Sequence, residues 1–194
     1  ISHRCPDGYK DGTSVIECDP HPHTRRCLLV VHPSKPRIAL LHFAGPPGVG
    51  GVELVMQHQA TVLAHLGYRV RILAGSGATF DERIEVVTDA RLSSTHADVL
   101  AVKAELDRGI VSPHFDSLRD EIGTVLETVL ADCDVCIAHN VAGLHKNLAL
   151  TAALHEIAQK PSFKLIHWYH DLAWTNPQYL SELHEGSPWD LLRT

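Results

Sequence analysis

The sequence predicts an α/β fold in which a mostly parallel β-sheet lies between two layers of helices. From Arg37 onward, short apolar segments of strand length alternate with longer segments whose apolar residues recur at helical spacing. Strands that alternate with helices pair in parallel, because each crossover helix returns the chain to the same end of the sheet. The expected architecture is a Rossmann-like three-layer sandwich.

Each element follows from a local pattern. The strands are apolar runs bounded by turn residues, and the helices carry apolar residues every three or four positions. We expect strands at 38–43, 68–74, 84–87, 134–138 and 164–169, and helices at 52–66, 97–108, 113–129 and 142–159. Gly67 follows the first helix at the position where a glycine commonly ends one.

Residues 1–36 differ in composition from the rest of the chain. They are rich in Pro, His, Asp and Gly, and only Cys27–Val31 has the apolar character of a strand. We expect an irregular N-terminal extension there, with at most an edge strand at Cys27–Val31. Whether residues 1–36 are foreign to the domain stays open, and the domain itself is expected to span 37–194.

Composition and charge exclude several classes of protein. The chain has 194 residues, 44% of them hydrophobic and 21% charged, as in soluble globular domains. A net charge of −6 and the lack of a basic tract argue against a nucleic-acid partner. No apolar run approaches the ~20 residues that cross a bilayer. The five cysteines, an odd number, favour a reducing cytoplasm over a disulfide framework.

Two cysteine patterns raise the question of a metal site. Cys133 and Cys136 form a C-x-x-C pair within an apolar run, so buried structural thiols are the favoured interpretation. Three cysteines and three histidines near the N-terminus offer zinc ligands, but their spacing matches no familiar pattern. They are Cys5, Cys18, Cys27, His21, His23 and His32. We therefore predict no metal site.

The turn Gly45–Gly51, between the first strand and the first helix, is rich in glycine. Such a turn at a helix N-terminus favours an anion, because backbone N–H groups and the helix dipole converge there. Gly51 and Val52 stand where a P-loop has Lys and Ser/Thr, so ATP hydrolysis is not expected. Glu53 replaces the third glycine of a dinucleotide fingerprint. A phosphorylated ligand is favoured, and a tight turn without a ligand is the alternative.

Polar residues also follow two later strands. His139 and Asn140 come after one strand, and His170 and Asp171 come after the last. Ligands of open α/β sheets bind beyond the carboxyl ends of the strands, so we expect these residues to meet the glycine-rich turn at one edge. Asp171 either orients a neighbouring imidazole or caps the following turn.

Two aromatic residues lie beyond the last strand. Trp174 and Tyr179 either form a stacking wall for a sugar ring or pack against the domain. The sequence leaves both interpretations open.

Taken together, these motifs resemble the N-terminal half of a family-4-like glycosyltransferase with the two-domain GT-B architecture. The resemblance covers residues 37–194 and depends on the order and spacing of four segments. They are Gly48-Val-Gly-Gly-Val-Glu53, His65-Leu-Gly-Tyr68 before Arg69-Val-Arg-Ile-Leu73, Asp134-Val-Cys-Ile-Ala-His139-Asn140, and Trp168-Tyr-His170-Asp171-Leu172.

The resemblance implies roles for individual residues. Gly50 and Gly51 would lie near the diphosphate of a nucleotide-sugar donor. His170 would approach the transferred sugar, with Asp171 beside it, and these two are the catalytic candidates. The acceptor side would comprise Glu53, His139, Asn140 and Trp174. The family needs neither cofactor nor metal, and it transfers sugars with retention of anomeric configuration, which rests on orienting the reactants and stabilising the leaving diphosphate.

The resemblance also implies partners. The donor would be held mostly by a C-terminal domain in cis, which the 194 residues do not contain. The acceptor would be a sugar, a lipid or another small molecule, and the parent protein could associate peripherally with a membrane. One wall of a cleft holds a donor poorly, so we expect this chain alone to be inactive and to bind donor weakly.

Two other functions remain open from the sequence. One is a stand-alone α/β module that binds a phosphorylated ligand through Gly45–Gly51. The other is a dinucleotide-binding domain of an oxidoreductase.

Overall fold

The computed structural model describes residues 35–48, 50–160 and 163–193, together with the backbone of two strands nearer the N-terminus. The chain divides into two compact units, Ile1–Lys35 and Pro36–Thr194.

The first unit contains a two-stranded antiparallel sheet. Strand β1 (Ser14–Cys18) pairs with β2 (Cys27–Val31). The expected strand at Cys27–Val31 therefore exists, but it is not an edge strand of the main sheet, and its partner β1 was not predicted. Of the residues considered for zinc, Cys5, His21, His23, His32 and the side chains of Cys18 and Cys27 lie outside the described residues.

The second unit is built on a five-stranded parallel sheet, which confirms the predicted fold class. Its strands are β3 (Arg37–His42), β4 (Arg69–Ala74), β5 (Ile84–Thr88), β6 (Val135–His139) and β7 (Lys164–Trp168). They lie in the order β5-β4-β3-β6-β7. The winding direction reverses between β3 and β6, and ligand crevices form at such a switch point, outside the carboxyl ends of the strands.

Within the described residues, four α-helices cover the sheet. They are α1 (Gly51–His65), α2 (Ala97–Leu106), α3 (Pro113–Leu130) and α4 (Leu148–Ala158). Met56 and Ala60 of α1 pack on one face against Ile72, whereas α2, α3 and α4 form the core on the other face with Leu41. The α1 side is covered only in part, since Trp168 of β7 remains 44% exposed. None of the described helices is both long and apolar enough to span a bilayer.

Helix α4 begins later than the predicted 142. Asn140 takes a left-handed φ of 57°, and its carbonyl accepts hydrogen bonds from the N–H groups of Gly143 and Leu144, so the chain turns before it can become helical. Asn147 then caps α4, because its Oδ1 accepts from Leu150 N–H at 3.1 Å. A helical pattern of apolar residues does not reveal such a turn.

The C-x-x-C pair is buried, as predicted. Cys133 and Cys136 are both buried free thiols. Burial raises the pKa of each thiol, so neither is a ready nucleophile or metal ligand.

Candidate functional site at the carboxyl edge of the sheet

The glycine-rich turn leaves β3 at the carboxyl edge of the sheet. Gly45 N–H donates to Ser76 O at 2.7 Å, and Ala78 N–H donates to Pro46 O at 3.0 Å, which ties this turn to the one after β4. Helix α1 then starts with Gly50 as its N-cap. The first N–H groups of a helix have no intrahelical acceptor, and they lie at the positive end of its dipole.

Glu53 folds back over this helix N-terminus. It lies in the first turn of α1, and its carboxylate contacts Gly50 so closely that a Cβ at Gly50 would overlap it. The missing side chain at Gly50 therefore makes room for the carboxylate. A carboxylate at this position is stabilised by roughly 0.3–1 kcal/mol. An external anion has to compete with Glu53, although the space around Gly51 is open.

His139, at the end of β6, lies at the centre of the site and is fully buried. Its Nε2 is 2.9 Å from Gln59 Oε1, and its Nδ1 is 3.1 Å from His170 Nε2. Burial, and after it the charges of His170 and His42, lower the pKa of His139 to about 4. His139 is therefore a neutral ring near neutral pH.

His42, the last residue of β3, also belongs to this group, although it was not among the residues predicted from the sequence. Its Nδ1–H donates to the backbone carbonyl of His139 at 2.7 Å. Burial lowers the pKa of His42, and the hydrogen bond to His139 opposes that shift. The charges of Glu53, His170 and Lys146 also act on the ring. The turn after β3 and the two predicted imidazoles thus share one edge, as expected.

Asn140 holds the segment that carries His170. Its Oδ1 accepts hydrogen bonds from the backbone N–H groups of His170, at 2.8 Å, and Asp171, at 3.1 Å. Asn140 itself is buried. It therefore acts on the site through the backbone that positions His170.

Asp171 caps a turn instead of orienting an imidazole. Its Oδ1 accepts from the backbone N–H of Leu172 at 2.9 Å, and it makes no ion pair with a histidine among the described residues. Of the two roles that the sequence left open, the structure favours the turn cap.

Trp174 is not an open stacking wall. It packs against the core on the α2–α4 side, and the guanidinium of Arg193 lies 3.5 Å from the centre of its ring. Trp168, in contrast, is exposed, and its ring stacks at 5.6 Å from that of His139. Trp168 and Gln59 line the same groove of about 380 Å³ beside α1.

A second polar cluster lies outside this site. Asp107, His145 and Glu182 are close enough together to hold a cation. Lys103 Nζ already lies 2.7 Å from both Asp107 Oδ2 and Glu182 Oε2, and His145 Nε2 lies 2.6 Å from the same Glu182 oxygen. Burial opposes the charge on Lys103, but its hydrogen bonds to the two carboxylates outweigh that cost and raise its pKa. The ammonium group meets the demand for a cation, so the cluster is a structural ion network.

The structure thus brings together Glu53, His139, Asn140 and His170 with the Gly50–Gly51 turn, and it leaves Trp174 apart. His42 and Gln59 contact His139 in this site but were not predicted from the sequence. His42 carried a weak signal, since it ends an apolar strand at the carboxyl edge. Gln59 carried none, because a glutamine on a helix is ordinary.

Comparisons with known proteins add little. No protein-family model matches the chain, and no curated protein matches it significantly. Among solved structures, the chain is similar to the apo form of UGT2 from Phytolacca americana, with a TM-score of 0.35 and 14% sequence identity. The match covers 72% of this chain but only 30% of that chain. A similarity at this level carries no argument about function, and the Rossmann-like fold stands on the strand order of this chain itself.

Proposed function

We propose that residues 37–194 form the acceptor-side, N-terminal domain of a glycosyltransferase of GT-B architecture. The observation that carries the proposal is the hydrogen bond between His139 and His170 at the carboxyl edge of the sheet, the edge from which the turn to Gly50 and Gly51 leaves β3. Imidazole groups at the same sheet edge as an anion-favouring helix end suit a substrate that has both hydroxyl groups and a diphosphate. The order of the four sequence motifs supports the same conclusion.

In this function, the turn at Gly50–Gly51 faces the diphosphate of a nucleotide-sugar donor, and His170 faces the sugar. Transfer proceeds with retention, needs no cofactor, and depends on orienting the two substrates and stabilising the departing diphosphate. His170 is exposed at an open edge. A second domain in cis therefore has to close over the edge and exclude water before transfer is efficient.

The groove beside α1 suits an acceptor with an apolar surface. Val55 and Val62 line it together with Trp168, and Gln59 connects it to the histidines. An aromatic ring offers an apolar face to a sugar ring or a lipid chain. We propose a sugar or lipid acceptor on this side, in the cytoplasm, with peripheral membrane association when the acceptor is a lipid.

The test is to express the longest reading frame that contains this chain and to measure release of nucleoside diphosphate from UDP-, GDP- and ADP-sugars. We expect release that depends on an added acceptor. H170A should lower the rate about a hundredfold, in the range found for removal of one group that stabilises a transition state. H155A, at an exposed position on α4, should leave the rate unchanged.

Two outcomes would contradict the proposal. One is a long parent protein that releases no nucleoside diphosphate from any of the three donors. The other is a reading frame that stops after Thr194, which would favour the stand-alone phosphate-binding module. For the 194-residue chain alone, sub-millimolar donor affinity by calorimetry would overturn the expectation of weak binding.

A further inference from the structure

Gln59, His139 and His170 form a continuous chain of hydrogen bonds that runs from α1 through the end of β6 to the segment after β7. Gln59 Oε1 lies 2.9 Å from His139 Nε2, and His139 Nδ1 lies 3.1 Å from His170 Nε2. An amide oxygen can only accept a hydrogen bond, so the proton of His139 is on Nε2. A neutral imidazole has a single N–H, which leaves Nδ1 of His139 as an acceptor.

The hydrogen bond to His139 then leaves only one position for the proton on a neutral His170 ring. Since His139 Nδ1 accepts, His170 must donate from its Nε2–H. The buried His139 ring stays neutral near neutral pH, because its pKa is lowered, mainly by burial, to about 4. A neutral His170 therefore keeps its proton on Nε2 and has its lone pair on Nδ1. His170 is exposed, and its Nδ1 makes no hydrogen bond to any residue within the described ranges.

We propose that Gln59 is a positioning residue that selects the tautomer of His170 through His139, so that His170 offers Nδ1 as a hydrogen-bond acceptor to a hydroxyl group of the ligand. The ligand class, a sugar or another polyol, rests on the proposed function. We call this selection of the tautomer the relay, and it depends only on the side chains of Gln59, His139 and His170. No proton is transferred along these hydrogen bonds. They determine only which ring nitrogen of His170 carries the proton and which one accepts.

The relay is sensitive to one rotation. If the Gln59 amide turned by 180°, its NH2 group would face His139 Nε2 and the proton of His139 would move to Nδ1. His170 Nε2 would then have to accept, and Nδ1–H would become a donor. As a donor, Nδ1 would bind acceptors, and as an acceptor it would bind donors. The orientation of the Gln59 amide on α1 therefore determines, through His139, whether Nδ1 of His170 donates or accepts.

The position of Gln59 allows a matched pair of variants. A glutamate at this position can only accept, and a lysine of similar length can only donate. We expect Q59E to keep His170 in the Nε2–H form, as in the unaltered chain. Q59K should shift His170 to the Nδ1–H form, because the ammonium group donates to His139 Nε2. Q59M, which has neither function, should give a mixture of both forms if Q59K does not fold.

The experiment is long-range ¹H–¹⁵N correlation of the histidine rings in the 194-residue chain at pH 7.5, with circular dichroism to confirm folding. Ring ¹⁵N shifts distinguish the two tautomers directly, and a purely structural role for Gln59 would not move them. The same His170 tautomer in Q59E, Q59K and Q59M, or an Nδ1–H form in the unaltered chain, overturns the proposal.

A second arm separates the relay from the function. Methyl α-glucopyranoside is titrated into the unaltered chain and into Q59K while the His170 Nδ1 shift is followed. We expect Q59K to weaken binding by about five- to tenfold, the effect of one hydrogen bond. Tautomers that switch as expected without sugar binding would contradict a sugar as the ligand of His170 Nδ1 and leave the relay intact. Equal sugar affinity in both proteins would contradict the acceptor role of Nδ1.

Discussion

Asn140 Oδ1 accepts a hydrogen bond from the backbone N–H of His170 at 2.8 Å, and a second from the N–H of Asp171 at 3.1 Å. The same residue has a left-handed φ of 57° at the point where the chain leaves β6. One side chain therefore connects the ends of two neighbouring strands and holds the segment that carries His170.

This relationship predicts the effect of three substitutions at Asn140. N140A should lower the free energy of unfolding by about 2–3 kcal/mol, because two N–H groups lose their acceptor and alanine disfavours a positive φ. N140G should avoid the cost of the positive φ but still lose the two hydrogen bonds. N140D keeps an acceptor oxygen, so its free energy of unfolding should stay within about 1 kcal/mol of that of the unaltered chain. Urea denaturation gives the energies. Hydrogen exchange at the amides of His170 and Asp171 should be faster in N140A and N140G; unchanged exchange there would contradict the role of Asn140.

Gly143 packs against the same segment, and we predict that a side chain at this position destabilises the protein. A Cβ at Gly143 would overlap the backbone oxygen of Asp171 and approach Tyr169 Cδ1 to 3.1 Å. We expect G143A to lower the free energy of unfolding by about 1–3 kcal/mol, the usual cost of overpacking.

The matched control is Gly123 on α3, where a Cβ meets nothing within 4 Å. G123A should stabilise the protein by about 0.5–1 kcal/mol, because glycine is unfavourable inside a helix. Urea denaturation of both variants should therefore give changes of opposite sign. Two changes of the same sign would show that the close contact between Gly143 and Asp171 does not make a side chain at position 143 unfavourable.

The pKa of His139 predicts a loss of stability in mild acid. Its native pKa is lowered from 6.5 to about 4, so between these values the unfolded chain binds a proton that the native chain does not. Stability from this ring is complete above pH 6.5 and falls as the pH falls toward 4, by about 3 kcal/mol in all. The measurement is the urea midpoint at pH 7.5 and pH 4.5.

The variant H139F has no titrating ring and should lose less stability over the same interval. His42 and His167 also have pKa values lowered mainly by burial, and they contribute equally to both proteins. H58Q, at an exposed position on α1, is the control and should behave as the unaltered chain. An identical pH dependence in H139F would mean that the buried ring does not carry the effect.

Substitution of Glu53 is predicted to lower the stability of the protein and to strengthen its binding of anions. E53Q removes a carboxylate from the N-terminus of α1 and should cost roughly 0.3–1 kcal/mol of stability. The same change removes the negative charge that competes with an external anion. We expect E53Q to bind inorganic pyrophosphate at least about fivefold more tightly, since charges a few ångströms apart interact by about 1 kcal/mol even in water.

An NMR titration that follows the amides of Gly50 and Gly51 measures this affinity, and added NaCl should weaken it. Pyrophosphate that leaves these amides unaffected in both proteins would contradict an anion site at the turn. Equal affinity in both would contradict the competition by Glu53.

The sequence predicted the parallel sheet and most of its elements because these depend on local patterns. The strands β3 to β7 and helices α1, α2 and α3 lie within a few residues of their expected bounds. The start of α4 was wrong, since the turn at Asn140 and the cap at Asn147 depend on hydrogen bonds that periodicity does not encode. Strand β1 was missed, because its pairing with β2 lies outside any local pattern.

The candidate site was predicted only in outline. The rule that the carboxyl ends of parallel strands meet at one edge predicts that His139 and His170 lie close together. It could not show that Trp168, and not Trp174, is the exposed ring beside them, because that depends on which face of the domain the last segment packs against.

By itself, then, the sequence determined the alternation of strands and helices, the glycine-rich turn, and the polar residues at the strand ends. These follow from the period of apolar residues and from the identity of residues adjacent in the chain. Only the tertiary structure decided that Glu53 covers Gly50, that His42 supports His139, and that Gln59 faces the same ring from α1. Each of these is a contact across elements, and its energy depends on distances that local sequence patterns do not specify.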